Sequence, residues 1–140
     1  MAKIAFTVPG APIPQPRVRV TTRGKFAHAY TPKAHPITAY REAIRAAAIA
    51  AGAKPHDELV ELWIYAYYVR PPSHSTKKGL KKTAPKTPRA DTDNLAKGIM
   101  DALTGTAYAD DQQVDRLHTT KKFAPKAGTM VVIAQEEPQA

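Results

Sequence analysis

The stretch that most constrains this chain is Leu59-Val60-Glu61-Leu62-Trp63-Ile64-Tyr65-Ala66-Tyr67-Tyr68-Val69. β-Branched and aromatic side chains suit a pleated surface, and Val60, Leu62, Ile64, Ala66 and Tyr68 recur with period 2, so residues 59–69 form the strongest strand in the sequence. Trp63, Tyr65 and Tyr67 share its other face, a stripe that packs against a helix in most proteins and stacks on unpaired bases in some. Ile4, Phe6 and Val8 alternate in the same way until Pro9-Gly10 stops them. A last strand runs over residues 129–135 around Met130-Val131-Val132-Ile133, and residues 136–140 form a frayed tail.

Between these strands the period changes to helical. Ile37, Tyr40, Ile44, Ala47, Ala48 and Ala51 fall near 3.6 spacing, and Gly52 stands where a C-terminal cap belongs, which predicts a scaffold helix over 36–51. Leu95, Ile99 and Leu103 define a second helix. Asp93, Lys97 and Asp101 recur on it with the same spacing but offset by two residues, about 200 degrees around the axis, so one face packs and the other carries charge. Asp93 or Asn94 supplies the expected N-cap oxygen, and i,i+4 pairing accounts for Lys97 between its two aspartates. Neither accounts for Asp91. Thr104-Gly105-Thr106 ends this helix, and an extended run to Phe123 follows with Val114 and Leu117 as its core candidates. Residues 18–20 and 26–30, joined by Thr21-Thr22-Arg23-Gly24-Lys25, form a short basic hairpin.

The charge distribution carries the functional information. The formal net charge is +9, from 21 Lys and Arg against 12 Asp and Glu, and so basic a chain is drawn to polyanions, nucleic acid first and an anionic membrane second. Yet half of the acids lie between Asp91 and Asp115, directly after a run holding Lys77, Lys78, Lys81, Lys82, Lys86 and Arg89 with no acid in it. Clustered carboxylates raise one another's pKa, and several ionised together call for a cation. Residues 71–88, rich in Pro, Ser and Lys, cannot bury enough surface to fold alone and are expected to form a flexible basic loop closing over a phosphate backbone. The stiff segment Pro9-Gly10-Ala11-Pro12-Ile13-Pro14-Gln15-Pro16 ends by presenting Arg17 and Arg19 on one side, spaced for adjacent phosphates.

Several classes are set aside. Zero cysteines exclude a disulfide scaffold and thiolate zinc sites, and the five histidines show no ligand spacing. No run of about 18 apolar residues exists, and the N-terminal apolar stretch is too short for a signal peptide, so a cytoplasmic protein without membrane attachment is expected. Asp91-Thr92-Asp93 opens like a calcium loop, but Leu95, Ala96 and Ala102 occupy positions where that loop needs an oxygen ligand, glycine and glutamate.

Asp91-x-Asp93-Asn94-Leu95-x-Lys97, then Asp101-Ala102-Leu103, then Tyr108-x-Asp110-Asp111-x-Gln113, resembles the signature block of the RusA family of Holliday junction resolvases, small endodeoxyribonucleases common in prophages. Pro9-Gly10-x-Pro12-x-Pro14-x-x-Arg17-x-Arg19 resembles the family's opening motif. Gln15 departs from it, since many relatives carry lysine there. The resemblance implies essential acids at Asp91, Asp93 and Asp111, an essential lysine at Lys97, and supporting roles for Asn94, Asp101 and Asp110. It also implies Mg²⁺ or Mn²⁺ as cofactor, a homodimer, and paired symmetric nicks in four-way DNA during recombination and repair. The chain length and element order give a single α+β domain of two layers, a mixed sheet packed against two main helices. Two other classes use parts of the same sequence. A structure-selective DNA-binding protein without catalysis would need the basic arm alone, and an enzyme acting on a small phosphate would need Asp-x-Asp without the arm.

Overall fold

The computed structural model describes residues 2–16, 19–21, 28–30 and 35–136. In chain order the elements are β1 (Ala2–Pro9), β2 (Arg19–Thr21), β3 (His28–Tyr30), α1 (Ile37–Ala50), β4 (Val60–Tyr68), β5 (Ser75–Thr76), β6 (Gly79–Leu80), α2 (Thr92–Leu103), β7 (Val114–Phe123) and β8 (Gly128–Gln135). The main sheet has the order β1-β8-β4-β7. β8 runs antiparallel to both β1 and β4, whereas β4 and β7 are parallel. The sheet is therefore mixed, and the strand singled out by its alternation is paired along both edges. β2 and β3 pair antiparallel in a separate two-stranded sheet, in the region of the expected hairpin, whose residues 18 and 22–27 lie outside the described residues.

The alternation in β4 translates directly into layers. Val60, Leu62, Ile64 and Ala66 are buried, while Glu61, Trp63, Tyr65 and Tyr67 are only half-buried. Phe6 and Val8 of β1 with Val131 and Ile133 of β8 continue the buried face, and Ile37, Tyr40, Ile44 and Ala48 of α1 with Ile99, Ala102 and Leu103 of α2 cover it. Each such aliphatic side chain, fully withdrawn from water, contributes roughly 1.5–3 kcal/mol. This is an α+β domain of two layers. Both helices lie on that one face, so the stripe of Trp63, Tyr65 and Tyr67 does not pack against a helix. Trp63 stacks instead on His118, with ring centroids 5.2 Å apart, and Tyr65 on Tyr67 at 6.4 Å.

α1 ends as its sequence implies. Gly52 takes a φ of 98°, and the N–H groups of Gly52 and Ala53 donate to Ile49 and Ala48, closing the last turn in a Schellman arrangement. Leu117 departs from expectation: it is 44% exposed. β7 is the edge strand, paired on one side only, and although Leu117 stands in register with the buried Leu62 its own place on that edge stays open to solvent. Val114, by contrast, packs against the core. Residues 71–88 contain local structure, a 3₁₀ turn over Pro72–His74 and the small β5–β6 hairpin, with every lysine exposed. Among the described residues no helix is long and apolar enough to cross a membrane.

Candidate active site

α2 and its N-cap carry half of the acidic cluster, Asp91, Asp93 and Asp101. Leu95, Ile99 and Leu103 are fully buried, and Asp93, Lys97 and Asp101 are exposed on the opposite side, so the two faces separate as the spacing demands. The start of the helix corrects the sequence expectation. Asp91, rather than Asp93 or Asn94, occupies the N-cap, because the Leu95 N–H already donates to the Asp91 carbonyl at 3.0 Å and closes the first turn there. The Asp91 carboxylate makes no capping bond to the helix backbone and accepts instead from Asn94 Nδ2 at 3.3 Å. Asp93 sits in the first turn, where the partial positive charge of the helix end favours a carboxylate.

The two acids that follow the helix divide by role. Asp110 caps the 3₁₀ turn Asp111–Gln113, its carboxylate accepting from the Gln112 N–H at 2.9 Å. Gln113 clamps this turn to the body of the protein. Its Oε1 accepts from the Asp110 N–H at 2.7 Å, and its Nε2 donates to the carbonyls of His56 at 2.7 Å and Glu58 at 2.9 Å. Asp111 is left projecting into solvent. Its carboxyl is held above the ordinary carboxylate range, chiefly by a hydrogen bond shared with Asp110, then by partial desolvation and the like charges of Asp110 and Asp101, against a small opposing pull from the Gln112 N–H. Behind it Tyr108 is fully buried, donating to the Met100 carbonyl at 3.2 Å, so the turn is joined to the C-terminal end of α2.

Asp101 is not paired with Lys97. Its partner is Arg41 of α1, at 3.5 Å, and Arg41 also donates to Gln15 Oε1. Among the described residues Lys97 makes no ion pair, and its ammonium stays available on the acidic face. Gln15 itself donates its backbone N–H to the Asn94 carbonyl at 2.9 Å, and a Cβ at Gly98 would lie 3.6 Å from the Gln15 nitrogen. The proline segment thus docks on α2 over a residue without a side chain. Arg17 lies outside the described residues, and Arg19 is described only as a backbone position of β2. Lys77, Lys78, Lys81, Lys82, Lys86 and Arg89 are all exposed along the segment that leads into Asp91.

Sequence reasoning missed four residues that build this region: Arg41, Gln113 as a clamp, Arg70 and Lys121. Lys121, expected as basic surface, donates to the Ala90 carbonyl at 2.8 Å and ties the approach to Asp91 onto β7. Arg70 donates to the Pro85 carbonyl at 2.8 Å and lies over the Phe123 ring at 4.0 Å, pinning the basic segment at its other end. No local pattern marks these residues, since their long-range partners are 15 to 60 positions away. Among the described residues no three acids or histidines converge closely enough to enclose a metal ion; Asp91 and Asp93 stand at the head of α2, and Asp111 with Asp110 and Asp101 toward its other end.

The profile of the endodeoxyribonuclease RusA family matches residues 9–134. The uncharacterized protein YqaN of Bacillus subtilis (strain 168) is 31% identical over 141 residues, covering 94% of this chain and 96% of that protein. With the motif residues gathered on α2 and the turn after it, and with the match spanning nearly the whole chain, this protein belongs to the RusA endodeoxyribonuclease family.

Proposed function

We propose that this chain is a divalent-metal-dependent endonuclease that resolves four-way DNA junctions by paired symmetric nicks, in DNA recombination and repair and in the cytoplasm. The observation that carries the reading is the exposed acidic face of α2 and its following turn, set in an otherwise basic surface and bordered by the segment 77–89. Phosphate binding elsewhere on the molecule follows from charge alone; carboxylates turned toward a phosphodiester do not, unless a cation stands between them.

Asp91, Asp93 and Asp111 are the proposed ligands; they stand apart toward the two ends of α2, so this reading requires the ion and the bound DNA to draw them together. Their chemistry fits Mg²⁺, with Mn²⁺ as the alternative: all are exposed hard oxygen donors, and a bound dication offsets the like charges that Asp110 and Asp101 set beside Asp111. When bound, the ion supplies a Lewis acid and an acidified water. The chain's own groups do the rest. Lys97 offers an uncommitted ammonium to a phosphate oxygen, where charge grows as the bond breaks. Asn94 steadies Asp91, Asp110 and Gln113 hold Asp111 forward, and Arg41 keeps Asp101 in place beside them. Arg17, Arg19 and the cations of 77–89 neutralise phosphates on either side of the cut. A junction has approximate two-fold symmetry, so paired nicks require two such sites, which a homodimer supplies.

The test is incubation with a synthetic four-way junction and a linear duplex, with and without Mg²⁺. Symmetric nicks confined to the junction and dependent on the metal are expected. Asp91→Asn and Asp111→Asn should abolish cleavage while binding persists or tightens, because each removes a negative charge beside DNA. Variants that still cut would defeat the assignment of ligands, and a metal-independent, junction-binding but uncutting wild type would favour the non-catalytic reading.

A further inference from the structure

A cleft outside the acidic face shares a wall with it. It has a volume of about 490 Å³ and opens between the C-terminal ends of the parallel strands β4 and β7, where Tyr68 and Phe123 stand in register. The segment 71–90 forms its far side through His74, Pro88 and Ala90, with Ser73, Thr87 and Arg89 around the mouth. Ala90 immediately precedes Asp91 and is held by Lys121, so whatever occupies the cleft lies next to the head of α2.

The frame of the cleft is well anchored. Tyr68 donates its hydroxyl to the Pro12 carbonyl at 2.9 Å, and the Ala124 N–H donates to the Tyr68 carbonyl at 2.8 Å. Arg70 lies over Phe123, while the His74 ring meets the same ring edge-on at 5.8 Å. The result is an aromatic and proline-lined recess with a few polar groups at its rim, the usual composition of a site for a flat, heteroaromatic ligand. Of the cations of 77–89 Arg89 lines the cleft, and the exposed lysines follow on the same segment, so a ligand attached to a polyanion suits it. A flat heteroaromatic ring attached to a phosphate backbone is a nucleobase. Proteins that act on a strand take such a base out of the stack and seat it against aromatic, arginine or histidine planes.

We propose that this cleft takes one unstacked nucleobase from the DNA strand whose phosphate lies at the head of α2, and so helps to place the phosphodiester that is cut. The inference rests on the nuclease reading above and adds to it a binding site for a base.

The experiment measures single-turnover cleavage, with Mg²⁺, of a four-way junction in which each nucleotide flanking the cut is replaced in turn by an abasic analogue. At one position the wild type should lose from about fivefold to about 150-fold in rate, the range that stacking one base on an aromatic ring is worth. Thr87→Trp and Ser73→Trp fill the cleft from its two rims at exposed positions. Either variant should cut the intact junction as slowly as the wild type cuts the abasic one, lose nothing further on the abasic junction, and keep its affinity within about twofold, since the phosphate contacts that dominate binding remain. A wild type that cuts the junction but changes less than twofold at every abasic position overturns the cleft assignment alone, as do tryptophan variants that keep full rate or full sensitivity to the missing base. A wild type that leaves every junction uncut overturns the nuclease reading, and the cleft assignment with it.

Discussion

Replacing Gln113 with alanine tests whether the turn that presents Asp111 is held by one side chain. Gln113→Ala deletes three hydrogen bonds, to Asp110, His56 and Glu58, and leaves the Asp110 N–H and the Glu58 carbonyl without a partner, while the His56 carbonyl keeps the Ala109 N–H. At a net worth of roughly 0.5–1.5 kcal/mol each, the three sum to about 1.5–4.5 kcal/mol. Gln113, His56 and Glu58 are all only half-buried, so water reaches part of what is exposed and the expected loss lies near the lower end, about 2 kcal/mol. In urea unfolding this moves the midpoint by about 1 M at an ordinary slope of roughly 2 kcal/mol per molar. Under the nuclease reading, the rate of junction cleavage should fall with it, because Asp111 loses its fixed direction, while junction affinity holds. Gln113→Glu sharpens the test. It keeps the shape and the acceptor for the Asp110 N–H but removes both donors and adds a charge beside Asp110 and Asp111, so it should be at least as destabilising as alanine. A stability loss below about 0.5 kcal/mol in both variants would refute the clamp, since surface substitutions away from such a network fall within that margin.

Three further outcomes follow from the same packing. Ile99→Ala empties a fully buried position between α2 and the sheet, and denaturant unfolding should report a loss of roughly 2–5 kcal/mol. Burial first of all raises the phenols of Tyr40 and Tyr68 from 10.0 to about 12, and Tyr108 moves further in the same direction. The fold therefore favours the neutral phenols, so their contribution is fully present below pH 10 and is lost as pH rises toward 12. Unfolding measured at pH 8, 10 and 11 should show that decline, and Tyr40→Phe should make it shallower. Arg41→Met removes the partner of Asp101 but keeps the aliphatic stem, so it should cost stability by no more than about 1–3 kcal/mol, and it should slow junction cleavage without weakening junction binding.

How much of this was legible in the chain differs from element to element. The period-2 run of 60–68 and the 3.6 spacing of Leu95, Ile99 and Leu103 reported their own burial, because the period of the apolar residues is the geometry of the element itself. The cap glycine after α1 was equally readable, since only a residue without Cβ takes a φ of 98° at low cost. Leu117 misled because burial of a strand residue depends on what covers its place in the sheet, and sheet order is a tertiary fact. The cap of α2 misled by two or three positions because the chain enters the helix before the apolar stripe begins.

The sequence by itself determined the fold class, the charge separation on α2 and, through the spacing of its motif, the family. These rest on local periodicity and on residue identity, which need no partner to be expressed. Only the tertiary structure decided which acids are committed and which stand free. Asp101 is taken by Arg41 and Asp110 by its own turn, while Asp111 is thrust forward by Gln113 reaching back to His56 and Glu58. Those contacts join residues 55 to 60 positions apart, and long-range hydrogen bonds leave no periodic trace in a chain. The cleft between Tyr68 and Phe123 has the same origin, because it exists only once β4 and β7 lie side by side.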